Sequence, residues 1–442
     1  MILYRPLMRS VNLLSLTKYP NINRRAFTCT TKMMMSDKCN NKDDTDTNGR
    51  IWLHSQYQNT PRDVALSSQP AISRCPLPIS TPRLLEDKLH HLSSKSSSGV
   101  EEFVEKVRQS KADFYKSQFN IRVTDEDRKR IERLTVESPN GLGGKVDVTI
   151  YYPEISSDDK KLDGICLHCH GGGWIFGDSY HQVAHRCLEM AQSLNVAVVS
   201  VEYSLFTQVN RHTNSFNPID DVLIAIDWVE SKGVEELNAQ PCFIASGESS
   251  GAHVLLLAVL RRRDRDNNNT KLHPTLSPPN DSTNRQEQSS FLMNWKCLNL
   301  VYGVFDLSGT PSIHADGDTS APLCGNDLLW MYDLYFSKAQ QQQSMQKEGN
   351  NINRQHPSIS PLYANLSHMP PALLSIGTAD PLLDDTLFMA NKYSAYGNNI
   401  ELAIYEGGEH GIGHFGIQED EEMGTRARKH TLDFMKKHLT TK

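Results

Sequence analysis

Residues 242–260 read CFIASGESSGAHVLLLAVL, and this stretch decides the fold. Its opening run, Cys242 to Ser246, is apolar and short, as a buried strand would be. Its closing run, Ala252 to Leu260, is apolar and long enough for a core helix. Between them, Gly247-Glu248-Ser249-Ser250-Gly251 fits G-x-S-x-G. A strand, a sharp turn and a helix in that order lift a serine hydroxyl above the end of a sheet. The register admits only Ser249 as the raised nucleophile, and Ser250 follows it with a backbone N–H to offer. The plain reading is a Gly/Ser turn between strand and helix; the apolar run on each side favours the nucleophilic one.

Working outward, the same alternation of strand and helix recurs. Val146, Val148 and Ile150 alternate with polar residues, a strand signal. Strands are then expected at Ile165 to His168, Val196 to Val201, Phe243 to Ala245, Cys297 to Tyr302, Ala372 to Ile376 and Glu401 to Tyr405. Helices are expected at His181 to Leu194, Pro218 to Ser231, Ala252 to Leu260, Leu382 to Tyr396 and Thr425 to His438. This rhythm predicts an α/β fold, a mostly parallel central sheet flanked by helices.

His170-Gly171-Gly172-Gly173 directly follows the strand at Ile165 to His168. Glycines let several backbone N–H groups crowd one point, where they can hold an oxyanion. No Lys-Ser or Lys-Thr follows, so a phosphate-cradling P-loop is excluded. An acid and a base are then needed, in the chain order Ser, Asp or Glu, His. Asp380 follows the strand at Ala372 to Ile376, at the strand end where an open α/β sheet places its site. Asp384 and Asp385 fall on the next helix, where capping or solvent exposure is expected. His410 lies in Gly407-Gly408-Glu409-His410-Gly411, after the strand at Glu401 to Tyr405, and is the expected general base. His414 is its rival, and His253, just past the elbow, suits a packing or hydrogen-bonding role. Trp174, Phe176 and Trp330 are candidates to line a substrate pocket, with core packing the plainer reading.

The rest of the 442 residues is organised around that body. From 1 to 36 there are six basic residues (Arg5, Arg9, Lys18, Arg24, Arg25, Lys32) and no acid, although the whole chain carries a net −6. Such a leader reads as a mitochondrial transit segment, with a cut expected near Arg25-Ala26-Phe27. A disordered basic tail is the alternative, and Met33, Met34 or Met35 could start a shorter cytoplasmic form. Residues 37–98 are rich in Ser, Asn, Asp, Thr and Pro and read as a disordered linker. Phe103, Val104, Val107 and Phe114 give 99–134 a helical pattern, and 135–442 forms the catalytic body. Polar runs at 263–290 and 338–355 read as surface insertions. The acidic balance argues against nucleic acid as a partner, and no apolar run is long enough for a transmembrane segment. Nine cysteines, an odd number, fit a reducing compartment. Cys166 and Cys169 look like a metal pair, but on a strand they point to opposite faces and read as structural thiols.

These residues together resemble the hormone-sensitive-lipase-like branch of the α/β-hydrolase superfamily. The matching pieces are HGGGW (His170 to Trp174), GESSG (Gly247 to Gly251), DPLLDD (Asp380 to Asp385) and EHG (Glu409 to Gly411). Val301 to Leu307 (VYGVFDL) and Ser360 to Tyr363 (SPLY) also match, so the likeness runs from about residue 140 to the C-terminus. The resemblance implies an α/β-hydrolase fold with the 99–134 helices forming part of a cap. It implies Ser249 as nucleophile, Asp380 as acid and His410 as base, with an oxyanion hole formed by the loop His170, Gly171, Gly172 and Gly173 together with Ser250. The donors would be the N–H groups of Gly172, Gly173 and Ser250. Two departures stand out. Glu248, Ser250 and Ala252 replace residues of the branch's Gly-Asp-Ser-Ala-Gly-Gly elbow, and Tyr203-Ser204-Leu205-Phe206-Thr207-Gln208 replaces its Tyr-Arg-Leu-Ala-Pro-Glu. The implied function is hydrolysis of small-molecule carboxylic esters, with no metal or cofactor. Ser249-Ser250-Gly251-Ala252-His253 is also similar to the kynurenine formamidases, which makes an amidase the alternative. A non-catalytic receptor on this scaffold is a third reading, disfavoured because His410 is present.

Overall fold

The central strands of the sheet are largely apolar, because both of its faces are covered there. In a computed structural model of the chain, the residues described are 51–54, 97–139, 144–154, 161–269, 294–315, 323–343, 353–412 and 421–440. All fall within one unit, Gly49–Lys442. The strands are β1 (Ile51–His54), β2 (Ile131–Glu137), β3 (Lys145–Tyr151), β4 (Gly164–Cys169), β5 (Val196–Val201), β6 (Phe243–Glu248), β7 (Trp295–Val301), β8 (Ala372–Gly377) and β9 (Ile400–Tyr405). Every residue of β4, β5, β6 and β8 is buried.

The spatial order is β1-β9-β8-β7-β6-β4-β5-β3-β2. From β1 across to β5 all neighbours are parallel; β3 runs antiparallel to both β5 and β2. The C-terminal ends of β4, β6, β8 and β9 therefore open on one edge of the sheet, where ligands bind in open α/β folds. Among the described residues no helix is long and apolar enough to cross a membrane.

The expected α/β architecture is found, with differences. The helical reading of 99–134 holds for Ser97–Arg122 and Asp125–Arg128, but Ile131–Glu137 is strand β2, paired with β3 from Ile131 opposite Tyr151 to Glu137 opposite Lys145. Its half-exposed outer position leaves it little apolar alternation to read. Within the segment read as a linker, Ile51–His54 pairs with β9 as β1. Each polar insertion begins inside a helix. Arg263 is buried in helix Ser250–Asn269 and donates through Nη1 to the Ser367 carbonyl at 2.9 Å. Residues 338–343 close helix Gly325–Gln343. That helix was not expected at all: Leu328, Met331, Tyr332, Leu334, Tyr335 and Phe336 are all buried, so its apolar surface is too wide to show an amphipathic period. Residues 270–293 and 344–352, and the basic leader 1–36, lie outside the described residues.

Candidate active site

The turn after β6 stores strain at one serine. Ser249 has φ +52°, a left-handed conformation that costs a non-glycine residue energy. Its own N–H donates to the Val301 carbonyl at 2.9 Å, and its carbonyl accepts from Ala252 N–H at 3.1 Å. The flanking glycine at 251 is a steric requirement, since a Cβ there would lie 2.2 Å from the Cys169 carbonyl oxygen. The elbow is thus pressed against the end of β4.

The glycine loop after β4 lies on the other side of the serine. A Cβ at Gly171 would sit 3.3 Å from Ser249 Cβ. Gly172 and Gly173 take φ +131° and +60°, which turns the loop over the elbow. Among the described residues, the N–H groups of Gly172, Gly173 and Ser250 have no hydrogen-bond acceptor. Ser250 opens helix Ser250–Asn269, whose first N–H groups are free of intrahelical bonds. His170 anchors the loop from below: its Nδ1 is 2.8 Å from the Gly171 carbonyl, and its ring stacks on Tyr203 at 4.3 Å. The Tyr203 hydroxyl donates to the His170 carbonyl at 2.6 Å. Burial holds the His170 pKa below its ordinary value. The departing segment after β5 is therefore a support for the loop; Phe206 N–H also donates to the Trp174 carbonyl at 2.8 Å. Glu248, the other departure, faces inward with its carboxylate 3.8 Å from His168 Nε2.

Asp380 and His410 arrive from neighbouring strands. Ala379 N–H donates to the Gly408 carbonyl at 3.0 Å and Thr378 N–H to the Tyr405 carbonyl at 2.9 Å, which laces the two loops together. A Cβ at Gly377 would lie 1.9 Å from the Gly408 oxygen, so no larger residue permits this approach. His410 Nδ1 is 2.9 Å from Asp380 Oδ2, and His410 Nε2 is 3.1 Å from Ser249 Oγ. The Asp380 side chain is fully buried and its Oδ1 accepts from Leu382 N–H at 2.9 Å; the His410 side chain keeps 15% exposure. Chemically, this is a hydroxyl within reach of a base, a base oriented by a buried carboxylate, and free amides beside the hydroxyl.

The profile of an alpha/beta hydrolase fold family matches residues 166–414, more than half of the chain. The chain belongs to the α/β-hydrolase family. Among relatives of this hydrolase, the carboxylesterase NlhH of Mycobacterium tuberculosis is 27% identical over 293 residues, covering 65% of this chain and 77% of that one. An ethyl acetate hydrolase of Pseudomonas putida is 26% identical over 287 residues, covering 63% and 76%. In three dimensions the hydrolase is similar to an esterase of Pyrobaculum calidifontis, with a TM-score of 0.58, 24% identity and coverage of 76% of this chain and 94% of that one. That likeness shows the fold.

Other expectations fare differently in the hydrolase. His253 is buried with Nε2 2.7 Å from the Ile359 carbonyl, and burial pushes its pKa down to about 4. His414 lies outside the described residues. Trp174 is core, packed on Tyr335 and His253 at 4.9 and 5.0 Å. Neither Asp384 nor Asp385 caps its helix through a side-chain hydrogen bond to the N-cap, and of the two only Asp384 keeps some exposure. Asp385 is fully buried and accepts from Phe305 N–H (2.6 Å), Asp306 N–H (2.9 Å) and Thr310 Oγ1 (2.6 Å), while Asp384 accepts from Ser312 N–H at 2.8 Å. They pin the loop after β7, and that role depends on donors about 75–80 residues away in the chain, which a local reading misses. The loop carries Tyr302, buried at φ +36°, whose ring lies 4.7 Å from the His410 ring. Tyr302 falls within the matching VYGVFDL stretch, but nothing local marks its contact with His410, which exists only once β7 and β9 are assembled. Cys166 and Cys169 are buried free thiols on β4, and burial pushes the Cys166 thiol up to about 12.

Proposed function

We propose that this hydrolase cleaves small-molecule carboxylic esters through Ser249, His410 and Asp380. The observation that carries the reading is the unbroken relay from Asp380 Oδ2 through the His410 ring to Ser249 Oγ, at 2.9 and 3.1 Å. His410 takes the hydroxyl proton as Ser249 Oγ attacks the ester carbonyl. Asp380 keeps the ring in the tautomer whose Nε2 can accept, and stabilises the imidazolium that follows. The N–H groups of Gly172, Gly173 and Ser250 receive the oxyanion, and each such donor contributes on the order of 10²–10³ in rate. The alcohol departs with the proton from His410; water, activated by the same ring, then cleaves the acyl-serine. The carboxylesterase and ethyl acetate hydrolase names of the relatives support ester over amide as the substrate class.

The deciding experiment offers the purified chain short-chain acyl esters of 4-nitrophenol beside N-formylkynurenine. Ester turnover that is lost in Ser249→Ala is the expected result. Faster turnover of the formamide would replace the esterase reading with the amidase one.

A further inference from the structure

Helix Ser97–Arg122 buries Val104, Lys111, Tyr115 and Phe119, a spacing that sets all four on one face. Three of these are ordinary core residues; Lys111 is not. It is only 6% exposed, and among the described residues its Nζ has neither a hydrogen bond nor a carboxylate partner. Its one neighbour of note is the ring of Phe176, 5.4 Å from Nζ to the centroid. Arg108, one turn back on the helix, is engaged with Glu105. Burial pushes the Lys111 ammonium down to about 8, so near neutral pH it still carries its charge for most of the time.

This cation stands one aromatic ring away from the glycine loop. The Phe176 ring abuts the glycine loop, with Cδ2 3.0 Å from where a Cβ on Gly172 would lie. Tyr115, one turn along the same face, is buried, and burial, with the carboxylates of Asp178 and Glu248 adding to it, pushes its phenol well above the ordinary value. The face bearing Lys111 therefore packs against the glycine loop through the Phe176 ring. Among the described residues this partly desolvated ammonium has no anion beside it, and an anion brought to it would offset the cost of its desolvation. A single ammonium brings one positive charge and three donors, enough to neutralise and hydrogen-bond one carboxylate.

We propose that Lys111 is a specificity residue that receives a carboxylate carried by the ester substrate. The inference rests on the esterase reading above. The experiment compares isosteric charged and neutral esters on the full chain, by pH-stat titration of released acid. Mono-ethyl succinate is paired with ethyl 4-methylpentanoate for a carboxylate on the acyl side, and 3-acetoxypropanoate with 3-methylbutyl acetate for the alcohol side. In Lys111→Met, kcat/KM for the charged member of one pair should fall roughly 10- to 100-fold, the range of a lost charge-assisted hydrogen bond, while its neutral partner changes little. Lys111→Arg should keep the preference. Lys111→Met should melt no lower than the parent, since it removes a buried charge. Equal changes within both pairs, or none, would overturn the inference while leaving the esterase reading intact. Failure of every ester, with no effect of Ser249→Ala, would sink both.

Discussion

His410 Nε2 lies 3.1 Å from Ser249 Oγ, although 161 positions separate the two residues in the chain. The contact depends on β6 and β9 ending on the same edge of the sheet. If it is the proton-transfer contact, Ser249→Ala should lower kcat/KM on a short-chain ester by about 10⁴- to 10⁶-fold, with the melting temperature close to that of the parent. Relief of the left-handed serine strain does not arise, because alanine shares the φ penalty. A loss smaller than tenfold would refute the assignment.

Asp380 holds the other ring nitrogen at 2.9 Å. Asp380→Asn keeps an oxygen for Leu382 N–H but can present an N–H to His410, favouring the wrong tautomer. A drop in kcat of about 10⁴-fold is expected, with circular dichroism unchanged. A variant that retains more than a tenth of the parent rate would show that His410 is oriented by something else.

Gly172 and Gly397 make an informative pair. Both have positive φ, but a Cβ on Gly172 would strike the Phe176 carbonyl at 2.0 Å, and one on Gly397 meets nothing within 4 Å. Gly172→Ala should displace the loop amides and reduce kcat by about 10²- to 10³-fold. Gly397→Ala should cost about 1 kcal/mol of stability from the αL penalty and leave activity per folded molecule unchanged. Steady-state kinetics beside thermal melts separates the two; equal effects on kcat would count against the oxyanion role of the loop.

Burial pushes the Asp385 carboxyl up to about 7, from an ordinary value near 3.8, despite its three donors. The folded chain therefore holds a proton that the unfolded chain releases at lower pH. The stability this group contributes is full below about pH 3.8 and is lost as pH rises through about 7. Asparagine does not titrate, so the melting temperature of the parent relative to Asp385→Asn should fall between about pH 4 and pH 8. A difference that stays flat across that range would contradict the shift.

Much of this molecule could be read locally. The strand at Val196–Val201 is valine-rich and buried along its whole length, as a doubly covered strand is, and its bounds match the expected ones. Ser249, Asp380 and His410 each sit just past a strand in a Gly-, Pro- or Ser-marked turn, a signal carried by adjacent residues alone. The helix Gly325–Gln343 and strand β2 escaped because one is apolar on too many sides and the other on too few.

The sequence by itself therefore determined the alternation of strands and helices, the elbow and the order of the three candidate catalytic residues, because turn chemistry and apolar runs are short-range properties. Tertiary structure alone decided that Asp385 pins the β7 loop, that Tyr302 rests on His410, and that Lys111 is buried near the glycine loop with, among the described residues, no counter-ion. Each of those depends on desolvation and on partners brought from distant parts of the chain, and neither quantity is encoded in a residue's immediate neighbours.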